Sequence, residues 1–194
     1  NLSSILTGAR LSAVTRRAKY LLFDFPRGTL ITHLGMSGSL RVVDASVPRQ
    51  PHDHVEIIFR GDRCLRLRDP RRFGLMLWTI GDPMAHELLR DLGPEPFDAT
   101  FTGAYLYHRA RGRTVAIKNY LMNARVVVGV GNIYASQALF RAGIHPLPPA
   151  RRLAVPYSPL TLPTNSHVHM SAFLRYLNKK SSLCTHPAPI LSQV

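Results

Sequence analysis

The sequence predicts an α+β fold, with an antiparallel β-sandwich or barrel in the first half and helices in the second. Short β-rich runs recur between turn signals up to about residue 80. The texture changes near Gly93-Pro94-Glu95-Pro96, after which apolar residues fall at helical spacing. A chain of 194 residues, 45% of them hydrophobic, is long enough for one large domain or two small ones with a real core.

The elements follow in order. Lys19 to Phe25 reads as a strand and stops at the turn signal Pro26-Arg27-Gly28. Leu30 to His33 follows at hairpin distance, and Ser39 to Val43 is a third run. Val55 to Phe59 and Cys64 to Arg68 flank Arg60-Gly61-Asp62-Arg63, a hairpin connection. Leu65 and Leu67 share one strand face, Arg66 and Arg68 the other. Leu75 to Thr79 closes the set, and Met84 to Asp91 reads as a short helix.

Beyond the break, Ala116, Tyr120 and Leu121 mark one helix, and Ile133, Leu139 and Phe140 another. Between them Gly129 and Gly131 allow tight turns, and Asn132 stands where an N-cap belongs. Gly143 reads as the C-terminal stop. Eight of the 15 prolines fall from Pro146 onward, so no long helix is expected there beyond Val168 to Leu177.

Charge narrows the function. Lys plus Arg number 25 against 11 Asp plus Glu, a formal +14, and 21 of the cations are Arg. No acidic side chain follows Asp98. Such a field favours a polyanion, most simply nucleic acid, and Arg suits phosphate forks. A basic surface kept for solubility is the plainer alternative. No apolar run of about 18 residues exists, so no membrane span is expected. No basic start leads into an apolar stretch, so no secretory signal is expected. Two cysteines, Cys64 and Cys184, are too few for a disulfide scaffold or a four-thiolate zinc site, and a cytoplasmic location fits.

Four constellations carry candidate chemistry. Arg16-Arg17-Ala18-Lys19-Tyr20 puts three cations at a strand start, as a phosphate contact or a solvated edge. Met36 centres the glycine-punctuated loop His33 to Ser39, as a wedge between bases or as core. His52-Asp53-His54 lacks a further carboxylate or cysteine to complete a metal shell, so phosphate contact or a local Asp–His hydrogen bond fits better. In Asp69-Pro70-Arg71-Arg72-Phe73-Gly74, Arg suits a base edge and Phe a base stack, with Asp69 pairing one Arg. A salt bridge capping a turn is the alternative. The Gly129–Asn132 turn adds an anion site at a helix start. It is neither a P-loop nor a dinucleotide fingerprint.

Taken together, these segments resemble the formamidopyrimidine-DNA glycosylase family. The stretches that carry the resemblance are Arg16 to Leu22, His33 to Arg41, His52 to Val55, Asp69 to Gly74, Leu92 to Pro96, Ala116 to Lys118 and Val127 to Ala135, in the family's order and spacing. Coverage runs from about Leu6 to Pro146. The resemblance implies a β-sandwich domain over residues 1–93, its N-terminal part incomplete, then a helix–two-turns–helix domain over 94–150, with DNA in the cleft between. Residues 151–194 form a divergent, proline-rich tail.

The resemblance also implies base-excision repair. An oxidised purine is flipped out of the duplex, the sugar is attacked by an N-terminal proline amine, and the strand is nicked by elimination. Lys19 matches the lysine that contacts the lesion phosphate and assists elimination. Met36, Arg71 and Phe73 match the residues that fill the gap left by the flipped base. His52, Arg71, Arg113 and Asn132 match DNA contacts. The expected partner is double-stranded DNA bearing an oxidised purine, met by a monomer in the bacterial cytoplasm at the nucleoid.

The chain departs from the family's pattern at both ends. The nucleophilic proline and adjacent glutamate precede the part of the pattern that Asn1 enters, and the four-cysteine zinc finger is not matched. A fragment is therefore expected, with no metal or other cofactor, and a DNA-binding chain without chemistry is the alternative to an active glycosylase. Asn123 and Gln137 stand where the family has Asp and Glu. With no free proline amine, this polypeptide is expected to give no covalent adduct with an 8-oxoguanine duplex under borohydride. A trapped band on a denaturing gel would contradict that.

Overall fold

A computed structural model describes residues 1–153. The predicted helix at Val168 to Leu177 and most of the tail lie outside the described residues. The chain divides into two compact units, Asn1–Arg90 and a second beginning at Asp91.

The first unit is built on antiparallel sheets. One helical turn, α1 (Leu2–Leu6), is capped by the Asn1 side chain, which accepts from the Ser3 amide. The strands are β1 (Ala13–Arg17), β2 (Tyr20–Phe25), β3 (Gly28–His33), β4 (Ser39–Asp44), β5 (Asp53–Phe59), β6 (Arg63–Arg68) and β7 (Leu75–Thr79). They form a four-stranded sheet, β1-β2-β3-β7, and a three-stranded sheet, β4-β6-β5, all antiparallel. Phe23, Leu30 and Leu65 make the core, with Leu2, Leu6, Met76 and Trp78 among the side chains packed on it. Leu30 and Ile31 are fully buried. An α+β class with an antiparallel first domain is thus what the chain adopts.

Three local expectations change. Arg16 and Arg17 lie within β1, and Lys19 sits in the turn before β2, where Ala18 takes a φ of 55°. The pair of strands was hidden because β1 is mostly exposed and carries no apolar alternation. Met84 to Asp91 does not form a helix. Pro83–Ala85 makes a 3-10 turn, and the His86 ring accepts the Leu88 amide that a helix would use. At Asp53 and Val55 the β5–β6 register shifts, leaving His54 as a bulge.

The second unit is helical: α2 (Gly103–Ala110), α3 (Ile117–Met122) and α4 (Asn132–Arg141). Thr102 caps α2 through its hydroxyl. The predicted cap at Asn132 moves by one residue. Gly131 is the cap and Asn132 the first helical residue, with no side-chain bond to the first turn. The buried face of α4 is Ala135, Ala138 and Leu139, not the trio read from the sequence: Ile133 and Phe140 are exposed. Gly143 ends α4 as expected. Its φ is 62°, its amide donates to Phe140, and the Ile144 amide donates to Leu139.

Leu106, Leu139, Val127 and Val128 are among the fully buried side chains. Two tyrosines tie the unit across its core: Tyr120 donates to the Leu106 carbonyl at 3.1 Å and Tyr105 to the Val126 carbonyl at 2.9 Å. No helix among the described residues is long and apolar enough to cross a membrane. Leu106→Ala should cost about 2–5 kcal/mol in urea unfolding of this unit. A cost under about 1 kcal/mol would show that Leu106 is not the keystone its burial indicates.

Candidate nucleic-acid interface

In the first unit three of the sequence constellations converge on one side chain. Asp69 is 2% exposed. Its Oδ1 accepts from the Ser37 hydroxyl at 2.7 Å, and its Oδ2 accepts from the Gly74 amide at 2.6 Å. Its backbone is held too: its amide donates to the His52 carbonyl at 3.0 Å, and the His54 ring donates through Nε2 to its carbonyl at 3.0 Å. The loop of Met36, the His52–His54 segment and the loop of Arg71 and Phe73 are therefore one assembly. Two expectations are corrected here. Asp69 is held by a hydroxyl and an amide rather than by an arginine. Asp53 and the histidines form no local pair, since Asp53 accepts from the Gln50 amide and faces Arg66.

The two loops also meet backbone to backbone. Gly35 has a φ of 63°, and a Cβ there would lie 2.6 Å from the Phe73 carbonyl carbon. At Gly38 a Cβ would lie 2.2 Å from the Leu34 oxygen. Only glycine fits either place. Ser37 completes the joint by accepting the Arg71 amide at 3.3 Å.

What this joint displays is apolar and cationic. Met36 is 76% exposed and Phe73 55% exposed. The Arg71 guanidinium lies 4.7 Å from the Phe73 ring centroid. Arg72 has a φ of 57°, a bend that separates Arg71 from Phe73 along the chain while leaving both at the surface. Exposed apolar side chains on a rigid base suit insertion into a base stack, and a packed core does not claim them. Met36 is therefore not part of the core.

Lys19, on the turn before β2, is exposed. His33, at the end of β3, accepts the Gly35 amide through Nδ1 at 3.0 Å and packs its ring 4.9 Å from Tyr20. Burial, and then the nearby Lys19 charge, holds its pKa below 6.5. A neutral His33 keeps the Nδ1 lone pair that the Gly35 amide needs. Sequence reasoning gave His33 and Ser37 no role of their own, and gave His54 a phosphate or aspartate partner rather than the Asp69 carbonyl it meets. Their partners lie on backbone or far along the chain, where no spacing rule looks.

In the second unit the predicted residues take two places. Asn132 opens α4, whose first-turn amides have no side-chain acceptor, while those of α3 are taken: Ile117 donates to the Pro148 carbonyl and Lys118 to that of Pro146. Arg113 lines a pocket with Arg109, Arg125 and Tyr120. Among the described residues no three His, Cys, Asp or Glu side chains gather as a metal site. Cys64 is buried in β6, and Cys184 lies outside the described residues.

The Gly74 amide and the Ser37 hydroxyl hold the Asp69 carboxyl below its ordinary value of 3.8. A lowered carboxyl stabilises the fold above its unfolded value and loses that contribution as pH falls through its folded one. Asp69→Asn should therefore lower the urea midpoint at pH 7, and the gap to the parent should shrink below about pH 4. A gap independent of pH would contradict this role.

The model of the "Formamidopyrimidine-DNA glycosylase N-terminal domain" matches residues 1–76, and that of the "Formamidopyrimidine-DNA glycosylase H2TH domain" matches residues 92–181. The chain is 57% identical over 155 residues to a formamidopyrimidine-DNA glycosylase of Methylococcus capsulatus, covering 80% of this chain and 57% of that protein. It is 60% identical over 150 residues to one of Aromatoleum aromaticum, covering 77% of this chain and 55% of that protein. The chain thus spans little more than half the length of these relatives. Among solved structures, Lactococcus lactis Fpg complexed with DNA containing an abasic site aligns with a TM-score of 0.79 at 31% identity, covering 94% of this chain and 65% of that one. MutM in complex with DNA containing carbocyclic 8-oxo-G aligns at 0.80 and 32%, covering 94% and 66%. Two domain matches in sequence order, the shared motifs and the shared architecture place this chain in the formamidopyrimidine-DNA glycosylase family.

Proposed function

We propose that this chain serves base-excision repair, engaging duplex DNA at an oxidised purine that has been flipped from the stack. The observation that carries the proposal is the interlocked pair of loops that holds Met36, Arg71 and Phe73 at the surface. Flipping leaves a gap beside an unpaired base. Met36 and Phe73 fill such a gap without needing a hydrogen-bond partner. Arg71 carries donors for the edge of the orphaned base, and Phe73 beneath its guanidinium fixes the plane of those donors. The relatives solved with abasic-site and 8-oxo-G DNA support the same class of partner.

Phosphate contacts supply the rest. Lys19 offers an unobstructed ammonium on a tight turn, and His52, Arg113 and the amides at Asn132 add donors from loop, loop and helix start. Lys19 placed on the lesion phosphate would also shield the charge that builds as a strand phosphate departs. Such contacts release counterions, so affinity falls with salt.

The test is fluorescence anisotropy of the full chain with two duplexes, one undamaged and one carrying a tetrahydrofuran abasic analogue. Binding should be salt-sensitive and favour the analogue. Met36→Ala with Phe73→Ala should reduce affinity for the analogue about tenfold and leave the salt slope intact. Lys19→Ala should lower the slope by about one instead. Equal affinity for both duplexes, unchanged by the loop substitutions, would overturn the proposal.

A further inference from the structure

A cavity of about 230 Å³ in the helical unit is lined by Arg109, Arg113, Tyr120, Asn123 and Arg125 with two valines. Among the described residues, three guanidinium groups contribute to the lining and no carboxylate does. Arg109 is held in place: it donates through Nη2 to the Arg125 carbonyl at 3.3 Å and stacks 5.6 Å from the Tyr105 centroid. Arg109 and Arg113 are both close enough to bear on the Tyr120 hydroxyl, where burial pushes the pKa up to about 12 and the two cations oppose the rise.

That hydroxyl is neutral and already donates to Leu106, so it cancels no charge. Asn123 uses Oδ1 to accept the Arg125 amide at 2.9 Å, which leaves its NH₂ group as a donor. Arg125 pairs with Asp91 at 3.3 Å, but both are largely exposed, and a surface pair of that kind holds its charge weakly. No Asp or Glu follows Asp98 to balance the cluster from downstream.

We propose that this cavity binds a phosphate group, held by the forks of Arg109, Arg113 and Arg125 with the Asn123 amide as a further donor. Guanidinium forks match tetrahedral oxyanions through paired N–H groups, and a cavity whose described lining holds three cations and no carboxylate is stabilised when an anion enters. The group is either a backbone diester or a free phosphate. Its diester form rests on the DNA reading above; the free form does not.

Two measurements on the full chain separate these sources. Calorimetric titration with inorganic phosphate at constant chloride should show one saturable site. Arg109→Gln should weaken it about tenfold or more, and so should Arg125→Gln, whose exposed side chain puts the fold at little risk. Arg111→Gln removes the same charge from outside the cavity and should leave the titration unchanged. For the diester, the salt slope of duplex binding should fall further in the two cavity variants than in Arg111→Gln. Saturation with inorganic phosphate alone supports a free phosphate, and a slope difference alone supports the diester. No saturable phosphate site, together with slopes equal to that of Arg111→Gln, would overturn the proposal. Failure of the parent chain to bind DNA would remove only the diester, because the calorimetry needs no DNA.

Discussion

A single buried carboxylate holds three stretches of chain in one arrangement. Asp69 is fixed by Ser37, Gly74, His52 and His54, so both sides of its peptide group and both carboxylate oxygens are occupied. A carboxylate taken out of water is tolerable only when donors replace the lost hydration, and here they come from each loop that the site needs. The surface side chains depend on this. Met36 and Phe73 are exposed, and the loops that carry them are joined through Asp69 and Ser37.

The two units handle positive charge in opposite ways. In the first, Arg66 is buried and compensated. It reaches Glu56 at 2.7 Å and Asp53 at 3.6 Å, and donates to the carbonyls of Val47 and Pro48. Arg49 also pairs with Glu56. This cluster joins β5, β6 and the loop before β5, and its acceptors replace the water that a buried guanidinium loses. Among the described residues of the second unit the arginines are exposed, and no Asp or Glu follows Asp98 in the sequence, so the unit carries a positive field that suits a polyanion.

Much of this was legible in the sequence, for physical reasons that differ by element. Strands β2 to β7 announce themselves by β-rich runs between turn residues, and Gly143 by a helix end that needs a positive φ. β1 stays hidden because it is an edge strand with almost no buried face. The face of α4 was misread because alanines, not its larger apolar residues, make the close packing. Among site residues, Met36, Arg71 and Phe73 stand out in glycine-marked loops. The Ser37–Asp69 bond joins residues 32 apart, and the arginine cavity draws on residues that share no motif. Contacts of that kind follow from the folded path, not from any local pattern.

The exposure of Met36 has a chemical consequence. Its thioether is open to any oxidant in solution, and the agents that oxidise guanine in DNA also oxidise methionine. A sulfoxide there would replace a slim apolar probe with a polar, chiral one, ill suited to lie between stacked bases. On the proposed reading, the side chain that fills the gap left by a flipped, oxidised base is open to the same oxidation as that base.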